Sequence, residues 1–320
     1  MTVATSPQTT GHLLLVRPAA FAANPETAPS NSFQSPSGPG DEAGGVQARR
    51  EFNTLVAALL EAGARPFMVE DTPVPAKPDA VFPNNWVSFH ADGTVVLYPM
   101  QAANRRPERR WDILEQLAEA KLVRLDRLVD LTPLETREQY LEGTGSLVLD
   151  RPRARAWAAL SERTHPGAIA EFTRRTGIAV LAFNATDAGG RPVYHTNVML
   201  AVGERFAVVC AAAVPDSAER TALLADLAAS GRELIEISRD QMGEFAGNVL
   251  EVRGHGDRGY VVLSRRAADA LDGGQLRRLA RCATPLVVPV PTIERLGGGS
   301  VRCMIAEIFA LPAEQAAAIG

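Results

Sequence analysis

HTNVMLAV at residues 195–202 opens on polar residues and runs straight into an apolar, strand-like stretch. Four other segments have the same form: NNWVSF at 84–89, EGTGSLVL at 142–149, GNVLEV at 247–252 and RCMIAEIF at 302–309. With Asn85, Glu142, His195, Asn248 and Cys303 as anchors, the intervals are 57, 53, 53 and 55 residues. A near-constant interval of this kind marks a structure built from repeated units. One polar residue at the matching place in each unit converges on a common axis. Among the converging residues are a glutamate, a histidine and a cysteine, the set that thiolate chemistry needs.

Hairpin signals lie between the apolar stretches. Asp92–Gly93 separates WVSF from TVVLY, Gly203–Glu204 separates NVMLAV from FAVVC, and residues 254–259 separate VLEV from YVVL. Helices fill the gaps. Phe52, Leu55, Val56, Leu59 and Leu60 share one helical face ahead of Gly63, and Pro107 opens a helix with Trp111, Leu114 and Leu117 on one side. Further helices are expected around 153–162, 167–176, 216–230 and 275–282. The unit is a hairpin plus a helix, repeated about five times, in an α/β fold. Residues 1–10 read as a flexible tail and 11–320 as one catalytic domain, because the period crosses every candidate boundary. Residues 19–45, rich in Pro, Ser, Gly and Asn, read as a lid-like loop, with Asn31 and Phe33 as its contacts to the site.

Composition narrows the function. At 320 residues, with 46% hydrophobic and 22% charged residues, the chain can bury a full core without staples. A net charge of -4 gives no basic field for nucleic acid, and no apolar run approaches the ~18 residues that span a membrane. The start lacks the basic and apolar regions of a signal peptide. Cys210, Cys282 and Cys303 are odd in number and widely spaced, which points to a reducing cytoplasm rather than disulfides or zinc. Cys210 and Cys282 read as small buried hydrophobes. Cys303 differs because it follows a glycine run at 297–299, where backbone can approach a ligand closely. His195 then serves as its acid and base, oriented by Glu142.

These marks resemble the pentein, or guanidino-group modifying, superfamily. The resemblance rests on PDAVFPNN (78–85), NRR (104–106), LEG (141–143), LSERT (160–164), His195 and GGGSVRC (297–303), and runs from about residue 11 onward. It implies a five-bladed, pseudo-symmetric α/β propeller with Cys303 as nucleophile, His195 as acid/base and Glu142 as its partner. It further implies Asp79 on the polar end of an amino acid, and Arg105 and Arg163 on its carboxylate. No metal or organic cofactor is implied, the partner is a small ureido or guanidino amino acid, and a homo-oligomer is left open.

The chain departs from the family where carboxylates usually face a cationic guanidinium: here stand Asn85 and Asn197. Burying a guanidinium without an anion costs several kcal/mol. An amide offers one acceptor and one donor group, a match for a neutral ureido group. The expectation is therefore a hydrolase of the citrulline-utilization type, converting citrulline to ornithine, ammonia and carbon dioxide through a covalent Cys303 intermediate. The alternatives are an arginine deiminase or dimethylarginine dimethylaminohydrolase type of guanidino hydrolase, an amidinotransferase, and a non-catalytic binding propeller.

Overall fold

The computed structural model describes residues 6–35 and 44–309. Strand β1 (His12–Arg17) is followed by the helix Gly44–Glu61 and by β2 (Arg65–Glu70). Three-strand units then repeat along the chain: β3 (Val87–Phe89), β4 (Val95–Leu97) and β5 (Leu128–Asp130); β6 (Val148–Asp150), β7 (Arg155–Leu160) and β8 (Ala179–Asn184). Next come β9 (Leu200–Val202), β10 (Phe206–Val209) and β11 (Glu233–Glu236), then β12 (Leu250–Arg253), β13 (Gly259–Ser264) and β14 (Thr284–Val288), and finally β15 (Ala306–Ile308). Each unit pairs its first two strands antiparallel and its last two parallel. The fifth sheet, β15-β1-β2, takes its inner strand from the far end of the chain. The result is a five-bladed α/β propeller, closed by that pairing.

The short inner strands β3, β6 and β15 are buried along their whole length, including their polar members Ser88, Asp150 and Glu307. Around the hub, β15 lies against β3, β6 against β9, and β9 against β12. Apolar clusters fill the spaces between blades; one joins Leu13, Phe52, Leu59, Val252 and Ile305. The helix Pro166–Thr176 buries Ala168, Ile169 and Phe172 and stops at Gly177, whose φ of 76° few other residues would adopt. No helix among the described residues is long and apolar enough to cross a membrane.

Three sequence expectations differ from the structure. Residues 155–160 form β7, not a helix: RAWAAL is alanine-rich, but it is a central strand with Trp157 fully buried. Tertiary pairing here overrides alanine's helix propensity. Trp111 and Leu60 are exposed, and the helix Trp111–Glu119 instead buries Ile113, Leu114 and Leu117. Of the expected tail, residues 1–5 lie outside the described residues, while Gln8 and Thr9 are buried. Gln8 donates to Leu149 O at 2.9 Å and Val202 O at 3.2 Å, and accepts from Arg151 N at 3.0 Å. It ties two neighbouring blades together. Of the loop expected over 19–45, residues 36–43 lie outside the described residues.

The Gln8 contacts predict that Gln8→Ala destabilises the protein by about 1–3 kcal/mol, because one buried and two half-buried backbone groups lose a partner. Chemical denaturation measures this; an unchanged midpoint would show that the Gln8 side chain contributes nothing.

Candidate active site

Every anchor residue sits where the chain enters an inner strand. Asn85 ends a 3-10 turn (Pro83–Asn85) before β3, and Glu142 precedes the helical turn Gly143–Ser146 before β6. His195 precedes the turn Thr196–Val198 before β9, Asn248 precedes β12, and Cys303 lies in the turn before β15. Five-fold repetition therefore brings all five to one end of the hub. Asp79, Asn85, Arg105, Arg163, His195 and Cys303 line a single narrow cavity. Glu142 lies behind His195, and Asn197 touches the Cys303 sulfur. All eight residues singled out from the sequence come together.

His195 Nε2 is 2.8 Å from Glu142 Oε2. A carboxylate only accepts, so Nε2 carries the proton and Nδ1 holds the lone pair. Burial lowers the His195 pKa to about 4 against the pull of Glu142, so the ring is neutral. Burial pushes the Glu142 carboxyl up, but Arg163, His195 and Arg105 outweigh it and hold the group at about 2. Glu142 Oε1 also accepts from Gln101 N at 3.0 Å. Gly145 lies under this arrangement. A Cβ there would stand 2.5 Å from Asn85 Nδ2 and 2.8 Å from His195 Nδ1, inside any tolerable contact.

The two arginines are held differently from the expectation. Arg105 meets Glu108 in a two-pronged pair, Nε–Oε1 and Nη2–Oε2 both at 2.9 Å, and donates to Asn85 Oδ1 at 3.0 Å. Burial raises the Glu108 carboxyl to about 7. The Arg105 guanidinium pulls the other way, and its two parallel N–H donors on the two oxygens have the geometry of a guanidinium–carboxylate ion pair. Arg105 is thus committed to the protein and fixes the Asn85 amide with Nδ2 free. Arg163 donates to Ser30 Oγ at 2.7 Å and Thr27 O at 3.0 Å, and its guanidinium lies over the Tyr194 ring. The loop therefore does contact the site. Asn31 lines the cavity, whereas Phe33 packs on Tyr194 and Phe245 behind it.

Asp79 is the open acceptor. Its Oδ2 accepts from Asn24 Nδ2 at 2.7 Å, while Oδ1 is buried without a partner. Asn85 Nδ2 is likewise buried and unpartnered. Counting buried groups, Asp79, Glu108 and Glu142 face Arg105 and Arg163, leaving one negative charge in excess. Sequence reading missed Asn24, Thr27, Ser30, Glu108 and Gly145. The first three lie on a loop without period. Glu108, three residues after Arg105, was the one with a local signal, an i,i+3 charge pair.

A cysteine, a histidine and a glutamate at the hub of a five-bladed α/β propeller define a pentein-type enzyme. The family profile described as "N,N dimethylarginine dimethylhydrolase, eukaryotic" matches residues 17–310, and the chain belongs to that family, a hydrolase of C–N bonds within the guanidino-modifying superfamily. No curated protein matches it by sequence. Among solved structures it is similar to apo ArgZ, an arginine dihydrolase from the ornithine-ammonia cycle in cyanobacteria, at 15% identity and TM-score 0.72. That match covers 94% of this chain and 41% of ArgZ. The N-terminal domain of ArgZ bound to substrate matches at 14% identity and TM-score 0.71, covering 94% of this chain and 98% of that domain. A dimethylarginine dimethylaminohydrolase adduct with 4-chloro-2-hydroxymethylpyridine matches at 14% identity and TM-score 0.64, covering 93% and 99%. At these identities the structural likeness is one of fold.

Two outcomes follow from the geometry. Gly145→Ala displaces the His195 ring and the Asn85 amide, so activity should fall about 100-fold, with a stability loss of about 1–3 kcal/mol from the overpacked contact; equal activity would remove Gly145 from the site. His195 must gain a proton on unfolding anywhere between its native value of about 4 and the ordinary value of 6.5. Unfolding then takes up protons, so stability is full above 6.5 and is lost as pH falls. The Tm of the wild type should drop more steeply than that of His195→Asn over this interval; parallel curves would contradict a neutral buried imidazole.

Proposed function

We propose that the chain is a Cys303-dependent hydrolase of arginine or a close guanidino amino acid. The observation that carries this reading is the surplus negative charge, with Asp79 Oδ1 as its unpartnered oxygen. Free arginine carries one net positive charge and citrulline none, so arginine neutralises the cavity and citrulline does not. Leaving a buried charge uncompensated costs several kcal/mol. The charge balance therefore reverses the order expected from Asn85 and Asn197 alone. The similarity to proteins described as arginine dihydrolases supports the same substrate class.

In this mechanism His195 Nδ1 takes the Cys303 thiol proton as the sulfur attacks the guanidino carbon, and the imidazolium so formed gives that proton to the departing nitrogen. A covalent amidino-thioether intermediate results. His195 then accepts a proton from water as the water attacks that carbon, the C–S bond breaks, and a ureido product leaves. Asp79 holds a cationic donor of the amino acid, and Arg163 supplies positive charge for its carboxylate once substrate displaces the loop oxygens. Arg105 acts through Asn85 rather than on substrate.

A second step has its own support. Because Arg105 engages Asn85 Oδ1, the group left facing the cavity is the Nδ2 donor. A donor there repels guanidinium N–H groups but suits the carbonyl oxygen of a ureido group. We read citrulline as a substrate of the same site, giving ornithine, ammonia and carbon dioxide. Arginine and two waters would then yield ornithine, two ammonia and carbon dioxide. The pairing of β15 with β1 supports reading the catalytic body from residue 11 onward as one domain, and three free thiols support a reducing cytoplasm.

Purified protein given arginine, dimethylarginine or citrulline separately should release ammonia fastest from a guanidino substrate, and Cys303→Ser should abolish it. Asp79→Asn should lower kcat/KM about 10- to 100-fold, as expected for a lost charged hydrogen bond. Turnover of citrulline with none of arginine or dimethylarginine would overturn the guanidino assignment.

A further inference from the structure

Asn248 has no role in the reading above, yet it is fully buried and stands at the nucleophile. Its Nδ2 lies 3.3 Å from Cys303 Sγ and 3.0 Å from the backbone oxygen of Asn197. Its Oδ1 accepts from Arg302 N at 3.2 Å. That backbone N–H only donates, so it fixes which end of the amide is oxygen, and the end aimed at sulfur must be NH2. Asn197 meets the sulfur less directionally, with Nδ2 at 3.6 Å and Oδ1 at 3.9 Å. Among the described residues these two carboxamides are the groups hydrogen-bonded to Sγ. Asp79, Arg105, Arg163, Tyr194 and His195 share the cavity with the thiol, Glu142 stands behind His195, and none of them hydrogen-bonds to the sulfur.

We propose that Asn248 is a positioning residue for the nucleophile: its oriented amide donates to the Cys303 thiolate, and with Asn197 forms a neutral cradle for the sulfur anion. An N–H donor aimed at sulfur favours the charged form and disfavours the thiol. A neutral amide also adds no positive charge that would oppose a guanidinium substrate. A cationic side chain beside sulfur would do the opposite. The anchor shared by all five blades thus serves chemistry in a blade that contributes no acid, base or nucleophile. This inference rests on Cys303 being the nucleophile.

The test compares Asn248→Asp and Asn248→Ala with the wild type. Iodoacetamide alkylation of Cys303 is read by mass spectrometry of its own peptide across pH, alongside kcat and KM. Asp keeps an acceptor for Arg302 N but places an oxygen against sulfur. The alkylation midpoint should rise by about one pH unit or more in the Asp variant, and less in the Ala variant. The kcat should fall about 10- to 100-fold in both, with KM within about threefold. A role confined to shaping the turn would leave the alkylation midpoint unmoved. If the Asp variant lacks a cooperative melt, the Ala variant decides the matter. Turnover retained in Cys303→Ser would overturn the nucleophile assignment itself. Turnover lost there, with alkylation midpoints unchanged at position 248, would overturn this inference alone.

Discussion

Three paired residues between β1 and β15, His12 with Ile308, Leu13 with Glu307 and Leu14 with Ala306, close the ring on which the site depends. Cys303 enters β15 through the turn just before that pairing. The hydrogen bond from Thr10 Oγ1 to Ile308 O reinforces the same seam. Were the seam open, the sulfur would belong to a free segment while His195 and Glu142 remained in their own blades. Closure converts distance along the chain into proximity at the hub, and it does so with backbone hydrogen bonds that are insensitive to the side chains around the cavity.

Inside that frame the site is an electrostatic balance rather than a set of independent contacts. Glu142 holds the proton on His195 Nε2 while two guanidinium groups keep the carboxylate ionised. Arg105 neutralises Glu108 and, through Asn85, decides which end of an amide meets the ligand. Arg163 is satisfied by Thr27 and Ser30, so a loop outside the blades completes the closed cavity. One carboxylate oxygen on Asp79 is left over. Asp79 shares Arg105 with Glu108 and Glu142, its Oδ2 lying 3.6 Å from Arg105 Nε, and a cationic amino acid offsets the remaining negative charge on binding.

Much of this was legible in the sequence because the polar anchors interrupt apolar strands at nearly even spacing, and spacing alone implies convergence. Cys303, His195, Glu142, Asp79, Asn85, Asn197, Arg105 and Arg163 all reach the hub for that reason or by family resemblance. What spacing could not give was pairing. Whether Arg105 grips a ligand or Glu108 depends on a 3-10 turn, Ala103–Glu108, that brings the two together. The substrate charge could not be judged from Asn85 and Asn197 without knowing how many buried acids stand behind them. Residues 155–160 misled because alanine favours a helix in isolation, whereas here the segment is the middle strand of a blade. Gln8 was read as part of a tail because nothing in a polar terminal stretch reveals which blade edges it will bridge.

The covalent intermediate offers the most direct measurement. Protein turning over arginine is quenched in acid and digested, and the peptide carrying Cys303 is weighed. The account predicts an adduct on that peptide equal to arginine less ammonia. An adduct on Cys210 or Cys282 instead, or turnover with no adduct on any cysteine, would contradict it.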